Sequence, residues 1–233
     1  MAELNLCYPV QSTADGIYLL LYLKQAWSGI VQFNYPYPLL MDMGWSFNYT
    51  CDTIAHQSES WAQTLQISAG VWYNSSRTLR PCFDYKNLNI ENTTTIEMTP
   101  WSYQTCTEIV FPVVGGADLF TYGGSWDLNQ FGIYCGLTWF GAETDPEWSV
   151  TYFGGLNITS GSNIIFSNGA FDPTRAFSPT VTVAPTLPSI NIGDQAGHCV
   201  DLYPASPSDP ASLTEAREQE AKIIWQWLDD GRT

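Results

Sequence analysis

The chain has 233 residues, 45% of them hydrophobic, with ten Trp and thirteen Tyr, which is enough apolar material for a packed core in one or two domains. Its 23 acidic residues outnumber 8 basic ones, and the resulting net charge of -15 repels phosphate backbones and anionic bilayers alike, so neither nucleic acid nor a membrane is expected as a partner. The longest apolar run, GIYLLLYL, is cut by Lys24 and falls short of the eighteen or so residues that a membrane-spanning helix needs.

In chain order, the first expected element is a helix in STADGIYLLLYLKQAWSGIVQ. It opens on a Ser12-x-x-Asp15 capping box and carries Ile17, Leu20, Leu21, Trp27 and Val31 on a helical stripe, until NYPYP stops it. A second helix is expected from about Ser58 to Trp72, with Trp61, Leu65 and Trp72 on one side and Gly70 weakening it. Between Val71 and Asp127 turn residues dominate and no period selects an element. Beyond Thr151 the pattern shortens to β-type runs, VTYFGG, NIIFS and PSINIG, separated by Gly, Asn and Pro turns. The last element is a helix with Asp209 as N-cap and Pro210 at its first position. Ala216, Ile223, Ile224, Trp227 and Leu228 form its stripe, and Gly231 follows its end. Strands followed by an amphipathic helix suit the end of an α/β layer, and the change of period divides the chain into 1–145 and 146–233.

Glycosylation sequons stand at Asn48, Asn74, Asn92 and Asn157, and the six cysteines are dispersed rather than grouped in CxxC pairs. Together they point to the secretory pathway. MAELNLCYPV has neither a basic n-region nor an apolar h-region, so the expectation is that the beginning of a longer secretory chain is missing.

Only two histidines are available for acid–base chemistry, His56 and His198. His56, in TIAHQSES, reads as a solvated histidine at a helix start. Asp172 ends the strand-like NIIFSNGAFDP, and His198 follows the run SINIG in GDQAGHCVDLYP. A carboxylate and then a histidine on loops after neighbouring strands is the order in which an α/β-hydrolase places its acid and base. An Asp before Pro also commonly does no more than shape a turn, and on the residues alone both readings stay open. No G-x-S-x-G pentapeptide occurs, and YGGSWD around Ser125 lacks the second glycine. His198, Cys199 and Asp201 are too few and wrongly spaced for a zinc site, so no metal or other cofactor is expected. The tryptophans sit at helical spacings and read as core.

NIIFSNGAFDP, AGHCVDL, DPASLTEAREQEAKIIWQWL and the upstream WSYQTCTE, four motifs in the right order, resemble the carboxyl-terminal half of the lysosomal Pro-X carboxypeptidase and dipeptidyl peptidase II family of serine exopeptidases. LNLCYP, the first helix and FNYPYP resemble part of the helical, disulfide-linked domain that this family inserts into its α/β-hydrolase fold. The resemblance implies a partial helical inserted (cap) domain over 1–145 and the carboxyl-terminal part of an α/β-hydrolase domain over 146–233. It implies Asp172 as triad acid and His198 as base, with the nucleophilic serine upstream of Met1 and no Ser or Cys of this chain at the other ring nitrogen. It also implies Cys7–Cys82 and Cys106–Cys135 bridges, with Cys51 and Cys199 free.

WSYQTCTE offers Tyr103, Gln104 and Glu108 as residues that line a substrate pocket, although aromatic and polar residues around a half-cystine more often serve as packing and caps. The implied activity is proteolysis next to proline in a lysosomal or extracellular compartment, on peptide substrates, with a homodimer left open. Three positions depart from the family: Thr174 replaces the usual Trp, Cys199 the second histidine of a His-His pair, and Tyr203 a basic residue. The alternative is a catalytically inactive secreted fragment or binding module.

Overall fold

The computed structural model describes residues 4–74, 81–86, 100–110, 127–155, 158–193 and 195–231. These form two compact units, one drawn from Met1–Leu88 with Thr159–Thr233 and the other from Asn89–Ile158. The first unit is discontinuous in sequence, because residues after the first helix and residues of the last strands share one core.

In the first unit, helix α1 (Thr13–Gln32) starts with the expected capping box, Ser12 and Asp15 satisfying each other's backbone N–H groups. Its buried face is not the expected stripe. Tyr22, Leu23, Ala26, Gly29 and Ile30 face inward, while Ile17, Leu21 and Val31 are exposed. A helix apolar nearly all round has no single preferred face, and here the small residues decide. The Trp72 ring lies where a Cβ on Gly29 would be, 2.5 Å from that point, so only glycine admits α3 (Trp61–Tyr73) this closely. Tyr22 stacks on Tyr73 at 3.8 Å between centroids.

Helix α3 begins at Trp61 behind the Ser60 cap, and Trp61 is 85% exposed rather than core. No period marks α2 (Ser46–Gln57), which has no side-chain cap. Tertiary contacts hold it instead: buried Ser46 donates to Ile30 O at 2.9 Å, and Phe47 N donates to Asn34 Oδ1 at 3.1 Å. His56 therefore lies in the last turn of a helix, not at its start, exposed and bonded to Asp52 O at 2.7 Å. The Cys7–Cys82 bridge, seventy-five residues apart, ties the start of the unit to the short segment after α3, where Leu6 and Phe83 pair in parallel.

Strands β1 (Phe166–Asn168) and β2 (Ser189–Asn191) pair in parallel, Phe166 opposite Ser189. Both chains leave the sheet at the same end, which sets GAFDP beside AGHC. Helix α7 (Ala211–Asp230) covers β2 with its first half, burying Leu213 and Ala216 with Ile190, Ile192, Val200 and Tyr35. Ile223 packs at the margin of this cluster, whereas Ile224 and Leu228 of the expected stripe are exposed because the cluster ends there. Phe33 packs on this cluster and also on a second one of Ile30, Met41 and Val71, joining the α1–α3 helices to the sheet.

The second unit holds α4 (Pro100–Thr107), α5 (Leu128–Thr138) and α6 (Trp148–Phe153), with a Cys106–Cys135 bridge between α4 and α5. VTYFGG, expected as a strand, belongs to α6 and to the left-handed Gly154 that ends it. The i,i+4 stack of Trp148 on Tyr152, centroids 4.8 Å apart, outweighs the β-propensity of those residues.

Candidate functional site

The site grows from the two loops that leave β1 and β2. Gly169 permits their close approach: a Cβ there would stand 2.5 Å from Ala196 O and 2.7 Å from Gly197 O. Phe171 N then donates to Ala196 O at 2.9 Å and Ala170 N to Gly193 O at 3.3 Å, lacing the loops together. After them the chain turns into a 3₁₀ helix, Pro173–Phe177, with Asp172 as its N-cap.

His198 is held by both of its peptide groups. Its N–H donates to Gln32 O at 3.0 Å, and its carbonyl accepts from the Tyr35 hydroxyl at 2.7 Å. Burial raises the Tyr35 phenol well above its ordinary value, Tyr203 adding to the effect, so the hydroxyl remains a donor. The Phe33 ring meets the imidazole edge-on at 6.0 Å. Gly197 is needed here too, since a Cβ would be 3.1 Å from the Tyr35 ring and 3.2 Å from Asn34 O.

With the histidine so placed, Nδ1 lies 2.9 Å from Asp172 Oδ2, inside the expected hydrogen-bonding range. The two side chains keep 26% and 11% of their surface, His198 the more open. Thr174 completes the cluster. Its N–H and its hydroxyl donate to Asp172 Oδ1 at 2.8 and 2.7 Å, and Oγ1 is 3.2 Å from His198 Nδ1. Burial pushes the Asp172 carboxyl up, but the bonds from His198 and Thr174 outweigh it and hold the group below its usual value.

At Nε2 the structure corrects an expectation. The position is not free of the chain's own nucleophiles, because Cys199 Sγ stands 3.4 Å away. Cys199 adopts a left-handed backbone, φ 52°, which turns the thiol back onto the preceding ring. Burial, then the charges of Asp172 and Asp201, raise the thiol above its usual value, so it meets Nε2 as a protonated donor.

The loop carrying His198 is fixed from behind by Arg217 of α7. Nη2 donates to Val200 O and Tyr203 O, both at 2.9 Å, and Nε to Asp201 O at 3.0 Å. Nη1 pairs with the carboxylate of Asp209. Asp209 is therefore not the helix cap read from its place before Pro210. Its oxygens are taken by Arg217, by Ser206 N at 2.8 Å and by the Tyr37 hydroxyl at 2.6 Å, leaving Pro210 as an uncapped start.

Arg217→Met should cost about 3–5 kcal/mol in denaturant unfolding at neutral pH, because it takes the cation from a buried carboxylate and a donor from three loop carbonyls. Burial raises the Asp209 carboxyl, but the bonds from Ser206, Tyr37 and Arg217 bring it below its usual value. A depressed carboxylate stabilises the fold above the ordinary carboxylate range and loses that contribution as pH falls through its folded value. The gap between parent and variant should accordingly narrow in acid, and Asp209→Asn added to Arg217→Met should recover much of it. A loss unchanged in the double variant would refute this account.

Tyr103, Gln104 and Glu108 belong to the second unit, the first two on α4, where Tyr103 meets Trp139 edge-on at 5.3 Å. The Cys7–Cys82 and Cys106–Cys135 bridges are present, and Cys51 and Cys199 are free and exposed. Asn48 is exposed on α2, but the sequon's Thr50 is buried. Asn74 is the C-cap of α3. Asn92, Asn157 and the Ser125 segment lie outside the described residues. A cavity of about 370 Å³ opens between α2 and α3, lined among others by Tyr49, Gln66 and Phe83, and it does not include the Asp172–His198 pair. Among the described residues no group of three or more His, Cys, Asp or Glu could hold a metal ion, and no helix is long and apolar enough to cross a membrane.

Thr174, Tyr35 and Arg217 were not singled out as members of the site from the sequence. Thr174 had a signal, two residues beyond Asp172 in an Asp-x-Thr turn. Tyr35 and Arg217 reach the site only through tertiary structure.

Comparison with known proteins identifies the setting of this geometry. The model of the family described as serine carboxypeptidase S28 matches residues 1–220. The chain is 35% identical over 240 residues to the lysosomal Pro-X carboxypeptidase of Mus musculus and 32% identical over 236 residues to that of Homo sapiens, covering 97% of this chain and 46% of each relative. It is 28% identical over 134 residues to the thymus-specific serine protease of Mus musculus, covering 56% of this chain and 26% of that protein. The chain thus spans about half the length of the curated relatives it matches most fully.

Proposed function

The chain belongs to the serine carboxypeptidase S28 family, and from that premise we propose that it supplies the acid and base of a serine exopeptidase that cleaves peptides next to proline. The observation that carries the reading is the 2.9 Å bond between Asp172 Oδ2 and His198 Nδ1. A serine hydroxyl is a poor nucleophile until an imidazole takes its proton, and a carboxylate behind the ring fixes the tautomer and stabilises the imidazolium. In this scheme His198 Nε2 accepts the serine proton during attack on the scissile carbonyl and then passes it to the leaving amine. Asp172 stays ionised throughout, and backbone amides hold the oxyanion. No G-x-S-x-G occurs in the 233 residues, so the proposed serine comes from a segment that they do not include.

Residues 1–145 are proposed as part of a helical inserted domain and 146–233 as the carboxyl-terminal part of an α/β-hydrolase domain. Tyr103, Gln104 and Glu108 are proposed as pocket residues, and the four sequons as glycosylated in a secretory or lysosomal setting. The net charge of -15 suits an acidic compartment, where partial protonation relieves self-repulsion.

A second reading, a secreted module that binds without turnover, is favoured by the Cys199 thiol standing at Nε2. The test is hydrolysis of proline-containing peptides by the protein made from its full-length message, at pH 5, with and without a fluorophosphonate. Cleavage beside proline that the reagent abolishes supports the exopeptidase. Absence of both cleavage and fluorophosphonate labelling selects the binding module.

A further inference from the structure

We propose that Thr174 is a positioning residue of the acid–base pair, its hydroxyl holding the Asp172 carboxylate and fixing which nitrogen of His198 carries the proton. The inference rests on the peptidase reading only for its kinetic consequence, since the geometry stands without it.

A threonine hydroxyl has one proton to give, and a carboxylate can only accept. Thr174 Oγ1 is 2.7 Å from Asp172 Oδ1, so its proton is committed there. Toward His198 Nδ1, at 3.2 Å, the same oxygen can then only accept. Nδ1 must therefore carry the ring proton, shared between Asp172 Oδ2 at 2.9 Å and Thr174 Oγ1. Nε2 is left as the bare nitrogen, the form a general base needs. Meanwhile the Thr174 N–H, at 2.8 Å, joins the hydroxyl on Oδ1, and Oδ2 is kept for the imidazole.

An Asp-x-Thr turn alone would need only the backbone bond. The hydroxyl is additional and reaches both members of the pair. The titratable groups at the imidazole are Asp172 and the Cys199 thiol; the Tyr35 phenol bonds the His198 carbonyl, Asp201 lies further along the same loop, and Arg217 of α7 donates to that loop's carbonyls. Among the described residues outside the pair, Thr174 is the one that bonds both Asp172 and His198.

Thr174→Val keeps the shape and the backbone bond but removes the hydroxyl, and Thr174→Ser restores the hydroxyl. In the full-length protein, carbon-detected NMR of the Asp172 carboxyl, assigned with Asp172→Asn, should show its titration moving up toward the ordinary value in the Val variant. The depression should persist in the Ser variant, because a lost donor destabilises the anion. In kinetics kcat should fall about tenfold with KM little changed, and the acid limb of kcat/KM should move to higher pH, with Ser rescuing both. Thr174→Ala gives a second hydroxyl-free sample should Val perturb the turn. An Asp172 titration unchanged in both hydroxyl-free variants overturns the proposal, as does failure of Ser to restore it. If the parent hydrolyses no peptide while the carboxyl titration still shifts, the peptidase reading fails and the positioning role stands.

Discussion

With the proposed peptidase mechanism, His198→Ala is expected to lower kcat by about 10⁴-fold or more, because among the described residues His198 is the histidine with a carboxylate bonded to Nδ1. Asp172→Asn should fall in the same range, since the amide would present a donor where Nδ1–H needs an acceptor. Groups that act as a unit are not additive, so the double variant should be little worse than either single one. Stability is a clean control. The bonds that fix this loop, Gln32 O to the His198 N–H and Tyr35 to its carbonyl, belong to the backbone and survive the substitution. The thermal midpoint should fall modestly, because Asp172 loses its imidazole partner but keeps the Thr174 bonds, while turnover collapses. Activity that persists in His198→Ala would remove this residue from the mechanism and the Asp172 assignment with it.

The second large effect should come from a single methyl group. Gly169→Ala places a Cβ 2.5 Å from Ala196 O and 2.7 Å from Gly197 O, and both obstacles are main chain, which cannot rotate aside. Relief requires the Asp172 and His198 loops to part by several tenths of an ångström, stretching the Phe171 N to Ala196 O bond that laces them. Overpacking of this kind costs about 1–3 kcal/mol. A displacement approaching 1 Å between reacting groups costs on the order of 10²-fold in rate. Denaturant unfolding and kcat/KM measured on the same sample should show both losses, and an alanine variant with parental kcat/KM would mean that the loops can move without consequence.

How far the sequence could be read depended on whether the decisive interaction was local. The capping box of α1 and the punctuation around NIIFS and PSINIG are short-range, and they were legible. The inward face of α1 was not, because Gly29 and Ala26 select it only through contact with α3, forty residues on. Helix α2 has no local cap and is held by Ile30 O and Asn34, so nothing within its own twelve residues announces it. In α6 the aromatic i,i+4 stack overrode a β-like composition. At the site, chain order left Asp172 and His198 open between a triad pair and a turn, and the family resemblance was what joined them. The thiol at Nε2 was missed because it depends on a left-handed residue at Cys199, a conformation that sequence rarely signals outside Gly and Asn. Asp209 was misread for a related reason: a good cap residue in the right place was claimed by Arg217 and Tyr37.

The clamp of Tyr35 on the His198 carbonyl joins residues 163 positions apart, which has a consequence for biosynthesis. At about 5–20 residues per second, a ribosome needs roughly 8 to 33 seconds between adding the one residue and the other. During that interval Phe33 and Tyr35 lack their β2 and α7 partners, and the nascent helices expose an aromatic face. The Cys7–Cys82 bridge needs only 75 residues to close, so an oxidising compartment can lock the helices long before the histidine arrives. Early oxidation of that pair, rather than the final stability of the fold, would then govern how much chain escapes aggregation.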